Sequence, residues 1–195
     1  MIEEQALKQE YVIAKKKSAK PMLWVSMISM VMFFAGLTSA YVISMKRDDW
    51  VSFDLPQAFY VSTFLIVGSS ITLFLSQRFL KQNKRQLSLI MVFVTLILGI
   101  GFIWQQYVGF NQLKSVGLFF TGPESTVSTS FIIGITFMHV LHLLAGVIVL
   151  LVVIYNHFKY KYKSEDMLGF ELGAIFWHFV DILWIYLFFF FYFIR

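Results

Sequence analysis

The sequence predicts an all-α fold in which five transmembrane helices form a single bundle. Of its 195 residues, 58% are hydrophobic and only 14% are charged, whereas charged residues make up about 25% of an ordinary soluble domain. The apolar residues occur in runs longer than about 18, the length that crosses a hydrocarbon core of roughly 30 Å. No run alternates apolar and polar residues over about ten positions, which is the pattern of membrane β-strands.

Hydropathy places the predicted spans, within a few residues at each end, at about 21–45, 57–77, 87–107, 128–158 and 172–194. Residues 1–20 form a basic tail before the first span. The chain from 1 to 195 is predicted to be one membrane domain, since no repeat of 20 to 50 residues and no second domain is present. The longest connection, at about 108–127, contains Gly117, Gly122 and Pro123 among polar residues and predicts an external loop.

The basic residues predict the orientation in the membrane. Twelve of the sixteen Lys and Arg residues fall on one side: Lys8, Lys15, Lys16, Lys17, Lys20, Arg78, Lys81, Lys84, Arg85, Lys159, Lys161 and Lys163. By the positive-inside rule the N-terminus is cytoplasmic and the C-terminus lies outside. The net charge of +5 therefore indicates orientation, and we expect no nucleic-acid partner.

Composition excludes several kinds of site and targeting signal. The chain has no cysteine, which rules out disulfides, iron-sulfur clusters and thiolate metal sites, so any redox cofactor would need histidine ligands. The first apolar segment is too long for a cleavable signal peptide. The tail before it contains Glu3, Glu4 and Glu10 but no Arg, unlike a mitochondrial transit peptide.

Small residues predict where the helices pack together. Four of them share one face of the first span, at spacings of three, seven and four: Ser26, Ser29, Gly36 and Ala40. The second span is rich in Ser, Thr and Gly, and the third contains Gly99 and Gly101. We expect these residues to have structural roles.

Polar residues at membrane depth are few, and they lie on the last two spans. In span four, His139 and His142 are about 60° apart around the helix and Gly146 lies between them, so the three share one face. A functional site, if the chain has one, is expected to include this face.

Span five carries the other polar residues. Glu171 and His178 are about 20° apart around the helix, Asp181 is about 60° further round, and Trp177 and Trp184 lie beside them. A carboxylate at the depth of Asp181 costs roughly 2.5 to 3.5 kcal/mol on insertion scales, so Asp181 is not expected to face lipid. It needs a partner.

Three interpretations of these residues compete. His at positions i and i+3 with a carboxylate can bind zinc or iron. His and acidic groups at membrane depth can also relay protons. The third interpretation, which we favour, is a structural clasp in which Asp181 is hydrogen-bonded to His142 on span four, with His139 as the second candidate. Counting 1.5 Å per residue from the basic side puts Asp181 about 15 Å deep and His142 about 20 Å deep.

Sequence motifs resemble a known family. Residues 169–184 read GFELGAIFWHFVDILW and closely resemble the C-terminal signature of cytochrome c oxidase subunit III. Residues 138–146, MHVLHLLAG, and residues 32–37, MFFAGL, resemble motifs on earlier helices of that family. Residues 56–85 are similar in a looser way.

The resemblance implies a non-catalytic, accessory subunit of a haem-copper oxygen reductase, an enzyme that reduces oxygen to water and pumps protons. It implies no cofactor in this chain, with haem and copper held by partner subunits I and II. Subunit IV, bound phospholipid and a larger respiratory supercomplex are further candidate partners. The eight residues of spans four and five are then structural or lipid-contacting, not catalytic, not cofactor-binding and not metal-binding: His139, His142, Gly146, Glu171, Trp177, His178, Asp181 and Trp184.

Two departures from the family pattern are present. Mitochondrial-type members have seven helices, whereas five-helix members occur among bacterial oxidases, so the expected location is a bacterial plasma membrane. Many members carry a buried glutamate in the pattern SEVMFF, but residues 29–34 here read SMVMFF, which puts Met30 at the glutamate position. Proton handling or carbodiimide labelling tied to that acid is therefore not expected in this chain.

Two alternatives remain beside this interpretation. Within the family, the chain could serve a quinol oxidase or a nitric oxide reductase, because the electron donor binds elsewhere. From another class, it could be a small membrane metalloenzyme or transporter with a site built on His139, His142 and Glu171. The two classes differ in whether the isolated chain holds a metal or copurifies with haem- and copper-containing subunits.

Overall fold

The computed structural model describes residues 2–48, 50, 54–115, 117, 126–162 and 167–194, with side chains at residues 10, 13, 14 and from 16 onward within those ranges. These residues form five α-helices and no β-strand. In chain order they are α1 (Ile2–Ser44), α2 (Gln57–Lys81), α3 (Arg85–Ser115), α4 (Val127–Phe158) and α5 (Leu168–Phe193). Each contains a segment long and apolar enough to cross a membrane. The predicted all-α class with five spans is confirmed.

The first helix is much longer than predicted. It spans 43 residues and passes through Pro21, whereas the prediction made residues 1–20 a separate tail. The part apolar enough to cross a membrane is Lys16–Ser44. Residues 2–20 are rich in Ala, Glu, Gln and Lys, which favour helix without being apolar. Hydropathy detects only the apolar part of a helix, so α1 begins before the predicted span and includes residues of the predicted tail.

The third helix also extends beyond its predicted end. It continues to Ser115, so residues 108–115 of the predicted loop are helical, and residues 116 and 118–125 lie outside the described residues. The extension packs against the start of α2: the Ala58 amide donates to Gln112 Oε1 at 3.3 Å, and a Cβ atom at Gly109 would lie 2.6 Å from the Phe59 ring. Contacts with α2 thus stabilise the helical conformation of α3 beyond its predicted apolar span.

Four of the helices form a closed ring. α2 packs against α3, α3 against α4, α4 against α5, and α5 returns to α2, while α1 lies outside the ring in contact with α4 and α5. The basic end of the bundle, as we call it, carries the end of α2, the start of α3, the end of α4 and the start of α5. This alternation places α4 and α5 antiparallel, as the sequence predicts.

Small hydroxyl side chains join α2 to α3. Thr72 Oγ1 lies 2.8 Å from Thr95 Oγ1, and the Ser76 hydroxyl donates to the Ser88 carbonyl oxygen at 2.8 Å. Ser76, Ser88 and Thr95 are buried. Short polar side chains of this kind let membrane helices approach closely and hydrogen-bond across their interface.

Two tryptophans of α5 fill the centre of the ring. Trp177 Nε1 donates to Ser69 Oγ of α2 at 3.1 Å, and Trp184 Nε1 donates to Thr63 Oγ1 of α2 at 3.0 Å. Both indoles are fully buried. A Cβ atom at Gly99 of α3 would lie 2.6 Å from Trp177 Cη2, so α3 approaches the indole at a distance that only glycine permits.

Most of the small-residue face of α1 is left uncovered by the described residues. Ser26, Ser29 and Gly36 are exposed, and a Cβ placed at Gly36 would meet no described atom within 4 Å beyond the adjoining part of α1. α1 instead contacts the ring through larger side chains, among them Phe34 and Tyr41, which are 1% exposed. The expectation that small residues mark the contact face therefore holds for α3 but not, within this chain, for α1.

Gly99→Ala should lower the free energy of unfolding by about 1–3 kcal/mol, because the new methyl group displaces either Trp177 or α3. Gly101→Ala is the matched control on the same helix, since its Cβ would lie at an ordinary 3.6 Å from Leu65 and any gain in helix propensity is common to both variants. Thermal unfolding in detergent measures the difference. Equal melting temperatures for the two variants would contradict the packing described above.

Candidate functional site

The polar core of the bundle consists of His139 and His142 on α4 and His178 and Asp181 on α5. It is the only part of the predicted site that combines titratable groups at membrane depth. His139 and Asp181 are 0% and 1% exposed, whereas His142 and His178 are half-buried. The four residues lie on neighbouring antiparallel helices, as predicted, but their individual contacts differ from the prediction.

Asp181 is directed toward α2 and not toward α4. The hydroxyl groups of Ser70 and Ser69 lie beside its carboxyl group, yet neither carboxyl oxygen has a hydrogen-bond partner among the residues that the structure describes. The predicted clasp between Asp181 and His142 or His139 is therefore wrong. Counting residues along the helices gave Asp181 and the two histidines similar depths in the membrane. Depth does not determine the direction in which a side chain points around its helix. On α5, Asp181 points to the interface with α2.

His178 makes the hydrogen bond that sequence reasoning missed. Its Nδ1 atom lies 2.6 Å from the Ser70 hydroxyl of α2, which joins α5 to α2 close to Asp181. Ser70 is one of the Ser, Thr and Gly residues of the second span, for which only a structural role is predicted. The available signal was a serine at membrane depth facing a helix that carries an intramembrane histidine, a pairing that membrane bundles commonly use.

His139 is packed as an aromatic ring. Its centroid lies 5.2 Å from that of Trp184, 5.9 Å from Phe102 and 6.4 Å from Phe34. Within the described part of the chain, neither ring nitrogen has a hydrogen-bond partner. Helices α1, α3 and α5 all contribute to this aromatic surround, so His139 helps to hold them against α4.

His142 faces α1. Its Nδ1–H donates to the Met138 carbonyl oxygen at 2.7 Å, because a carbonyl oxygen can only accept, and its ring lies 5.5 Å from that of Phe34. Gly146, one turn further along α4, lets the Trp177 indole approach: a Cβ atom there would lie 3.1 Å from Trp177 Cε3. The predicted shared face of α4 is real, and it contacts aromatic side chains.

Glu171 lies apart from the polar core. It forms an ion pair with Lys20 of α1, with Nζ and Oε2 2.7 Å apart, and both side chains are partly exposed. Glu171 and Trp184, which is in contact with His139, are thirteen residues apart on α5, about 20 Å along the helix. The alternative metal site built on His139, His142 and Glu171 is therefore not assembled. Within the described part of the chain, no three His, Asp or Glu side chains are grouped as metal ligands.

A second polar cluster, at the basic end, was not predicted. His157 Nε2 lies 3.2 Å from Ser88 Oγ, and Arg85 donates a hydrogen bond to the His157 carbonyl oxygen. The Asn156 amide of α4 donates to the hydroxyl of Tyr162, which lies just beyond that helix, at 3.4 Å, and burial raises the pKa of that hydroxyl, against the effect of Asn156. These contacts join α3 to α4 at the membrane surface.

The contacts of these residues hold helices together. An ionised carboxylate at the depth of Asp181 would be costly, and His178 and Trp177 both hydrogen-bond to hydroxyl groups of α2. The predicted role of these residues as structural remains a prediction. A lipid-contacting role fits poorly for Trp177, Asp181 and Trp184, which are buried among helices.

A double-mutant cycle on Ser70 and His178 should give a coupling energy of about 0.5–1.5 kcal/mol, because the two side chains share a hydrogen bond. The variants are Ser70→Ala, His178→Ala and their combination, with unfolding measured in detergent. Asp181→Asn with His142→Ala is the control cycle and should be additive within about 0.5 kcal/mol. Strong coupling in the control cycle would restore the clasp that the geometry contradicts.

Comparisons with known proteins place the chain in a family. The family model for "Cytochrome c oxidase subunit III" matches residues 1–195. Proteins named "Cytochrome c oxidase subunit 3" are similar over most of the chain. The protein from Spodoptera frugiperda is 30% identical over 128 residues, 65% of this chain and 82% of that protein. The protein from Pyricularia grisea is 31% identical over 135 residues, 69% of this chain and 47% of that protein.

The protein from Aedes aegypti is 29% identical over 127 residues, 65% of this chain and 46% of that protein. The matched region is thus about half the length of two of these three relatives. The family match covers the whole of this chain, including the histidines of α4 and the tryptophans of α5. The chain belongs to the cytochrome c oxidase subunit III family.

Proposed function

We propose that this protein is the accessory subunit III of a bacterial haem-copper terminal oxidase, a cytochrome c oxidase of aerobic respiratory electron transport. Its role is to stabilise the catalytic core and to support proton uptake by that core, with no redox centre of its own. The observation that carries the proposal is the family match over all 195 residues. The relatives' names also refer to a subunit of this enzyme.

The packing of the bundle interior favours a structural role over a catalytic one. The centre of the ring is filled by Trp177 and Trp184, and His139 is enclosed by aromatic rings. In the described part of the chain, His139 and Asp181 are buried between helices at membrane depth. Partner subunits I and II would hold the haems and copper, with subunit IV and a respiratory supercomplex as further partners.

We place the protein in a bacterial plasma membrane with its basic end in the cytoplasm. The five apolar helices make it a multi-pass membrane protein. The asymmetry of Lys and Arg supports the orientation, and the five-helix form supports the bacterial origin. Bound phospholipid belongs to the proposal, because a bundle with this much exposed apolar surface is surrounded by lipid on all sides not covered by partners.

Copurification tests the proposed function most simply. After mild detergent solubilisation, the tagged chain should bring down larger subunits with a haem a absorption spectrum, and elemental analysis should assign the metals to those subunits. A strain lacking the chain should yield an oxidase with an intact haem spectrum that loses activity faster during turnover. A colourless protein that purifies alone with stoichiometric zinc would contradict the proposal.

Dicyclohexylcarbodiimide, which reacts with buried carboxyl groups, should give no adduct within residues 24–45. That segment contains no Asp or Glu, and Met30 stands at the family's acidic position. Met30→Glu should create a labelled site there, which makes it the positive control. Failure of Met30→Glu to be labelled would show that the alignment with the family motif is wrong.

A further inference from the structure

We propose that a cavity between α3 and α4 at the basic end binds the headgroup of an anionic phospholipid. The cavity has a volume of about 220 Å³. It is lined by Arg85, Gln86, Leu89, His157, Phe158 and Tyr160. It lies at the basic end of α3 and α4, and none of the four polar-core residues lines it. The proposal requires only that the chain spans a membrane, so it can fail or hold independently of the oxidase assignment.

Arg85 is the group that would bind the phosphate. Its guanidinium lies over the Tyr160 ring, 3.8 Å from the centroid, and donates to the His157 carbonyl oxygen. It forms no ion pair with any residue that the structure describes. A guanidinium has five N–H donors in a planar fork that matches a phosphate. Arg85 is thus held in place by two contacts that leave most of its donors and its whole charge available.

The backbone positions Tyr160 for this contact. Tyr160 has φ of 58°, a left-handed conformation that is uncommon for a residue other than glycine. It follows the last turn of α4, where its amide donates to the His157 carbonyl oxygen at 3.2 Å and the Lys161 amide donates to Asn156 at 3.1 Å. Unfavourable backbone conformations tend to persist where the surroundings or a function require them. Here the conformation places an aromatic ring against the cation.

The surroundings of the cavity match both the charged headgroup and the apolar acyl chains of a phospholipid. Lys84, Lys159 and Lys161 are exposed next to the cavity-lining residues and would add to the attraction for an anionic headgroup. Two turns further along α3, Phe93 contacts Phe158 with ring centroids 6.0 Å apart, and both rings are exposed on the membrane face. An inorganic anion would contact only the basic side chains, whereas a phospholipid would contact the basic side chains with its headgroup and the aromatic rings with its acyl chains.

The opposing interpretation is that Arg85 is an ordinary interfacial anchor. Arg78 illustrates that role: its guanidinium lies 4.6 Å from the centroid of the Phe74 ring at the end of α2, and it does not line this cavity. Both arginines stack on an aromatic ring at the same end of the bundle. The difference between them is the cavity, and this makes Arg78 the matched control.

Native mass spectrometry of the full chain in detergent, titrated with phosphatidylglycerol, tests the proposal. The unmodified chain should retain one phosphatidylglycerol molecule in preference to phosphatidylcholine. Arg85→Gln should weaken that binding about fivefold, the contribution expected of one basic residue near a membrane surface, and Arg78→Gln should weaken it less than about twofold. Gln86→Trp, which fills the cavity and leaves Arg85 unchanged, should also weaken it, so the test does not depend on Arg85→Gln folding.

Three results would overturn the proposal. Equal weakening by Arg85→Gln and Arg78→Gln would mean that the lipid responds to overall charge and not to a site. Unchanged binding in Gln86→Trp would mean that the cavity is not used. Displacement of phosphatidylglycerol by inorganic phosphate alone would assign the site to a free anion.

Discussion

The fold depends on two indole rings of α5 that fill the centre of the four-helix ring. Trp177 and Trp184 lie seven residues apart, two helical turns, and therefore point in nearly the same direction from α5. Each donates its single N–H to a hydroxyl group of α2. Lipid supplies no hydrophobic drive for helices to associate, so close packing and bonds of this kind must hold the bundle together.

The neighbouring helices are adapted to these indoles. α3 and α4 present Gly99 and Gly146 to Trp177, and α3 and α4 surround Trp184 with Phe102 and His139. One aromatic side chain thus contacts three other helices at each of two levels. The polar core lies within this packing, which explains why buried His and Asp side chains can be present without forming a metal or catalytic site among the described residues.

Much of the fold could be predicted from the sequence, and the limits have physical reasons. The number, order and antiparallel arrangement of the spans follow from hydropathy, because an apolar run has one stable placement in a bilayer. Hydropathy could not show that α1 begins at Ile2 or that α3 reaches Ser115, because it detects apolar segments and not the polar ends of helices.

The sequence identified residues of the candidate site, but it did not identify which residues they contact. Spacing along one helix correctly placed His139, His142 and Gly146 on one face, because the helical period is fixed. It could not determine which neighbour Asp181 would meet, because the rotation of α5 about its axis is set by Trp177 and Trp184 packing against α2. The bond between His178 and Ser70 depends on the same rotation.

We propose that the interior of this bundle serves the oxidase assembly by packing helices together. The most direct measurement is the haem spectrum and subunit content of the oxidase purified with Trp177→Phe in this chain, a change that removes the hydrogen bond to Ser69. Reduced retention of this subunit with an unchanged haem spectrum is expected. A shifted haem spectrum with full retention of the subunit would contradict it.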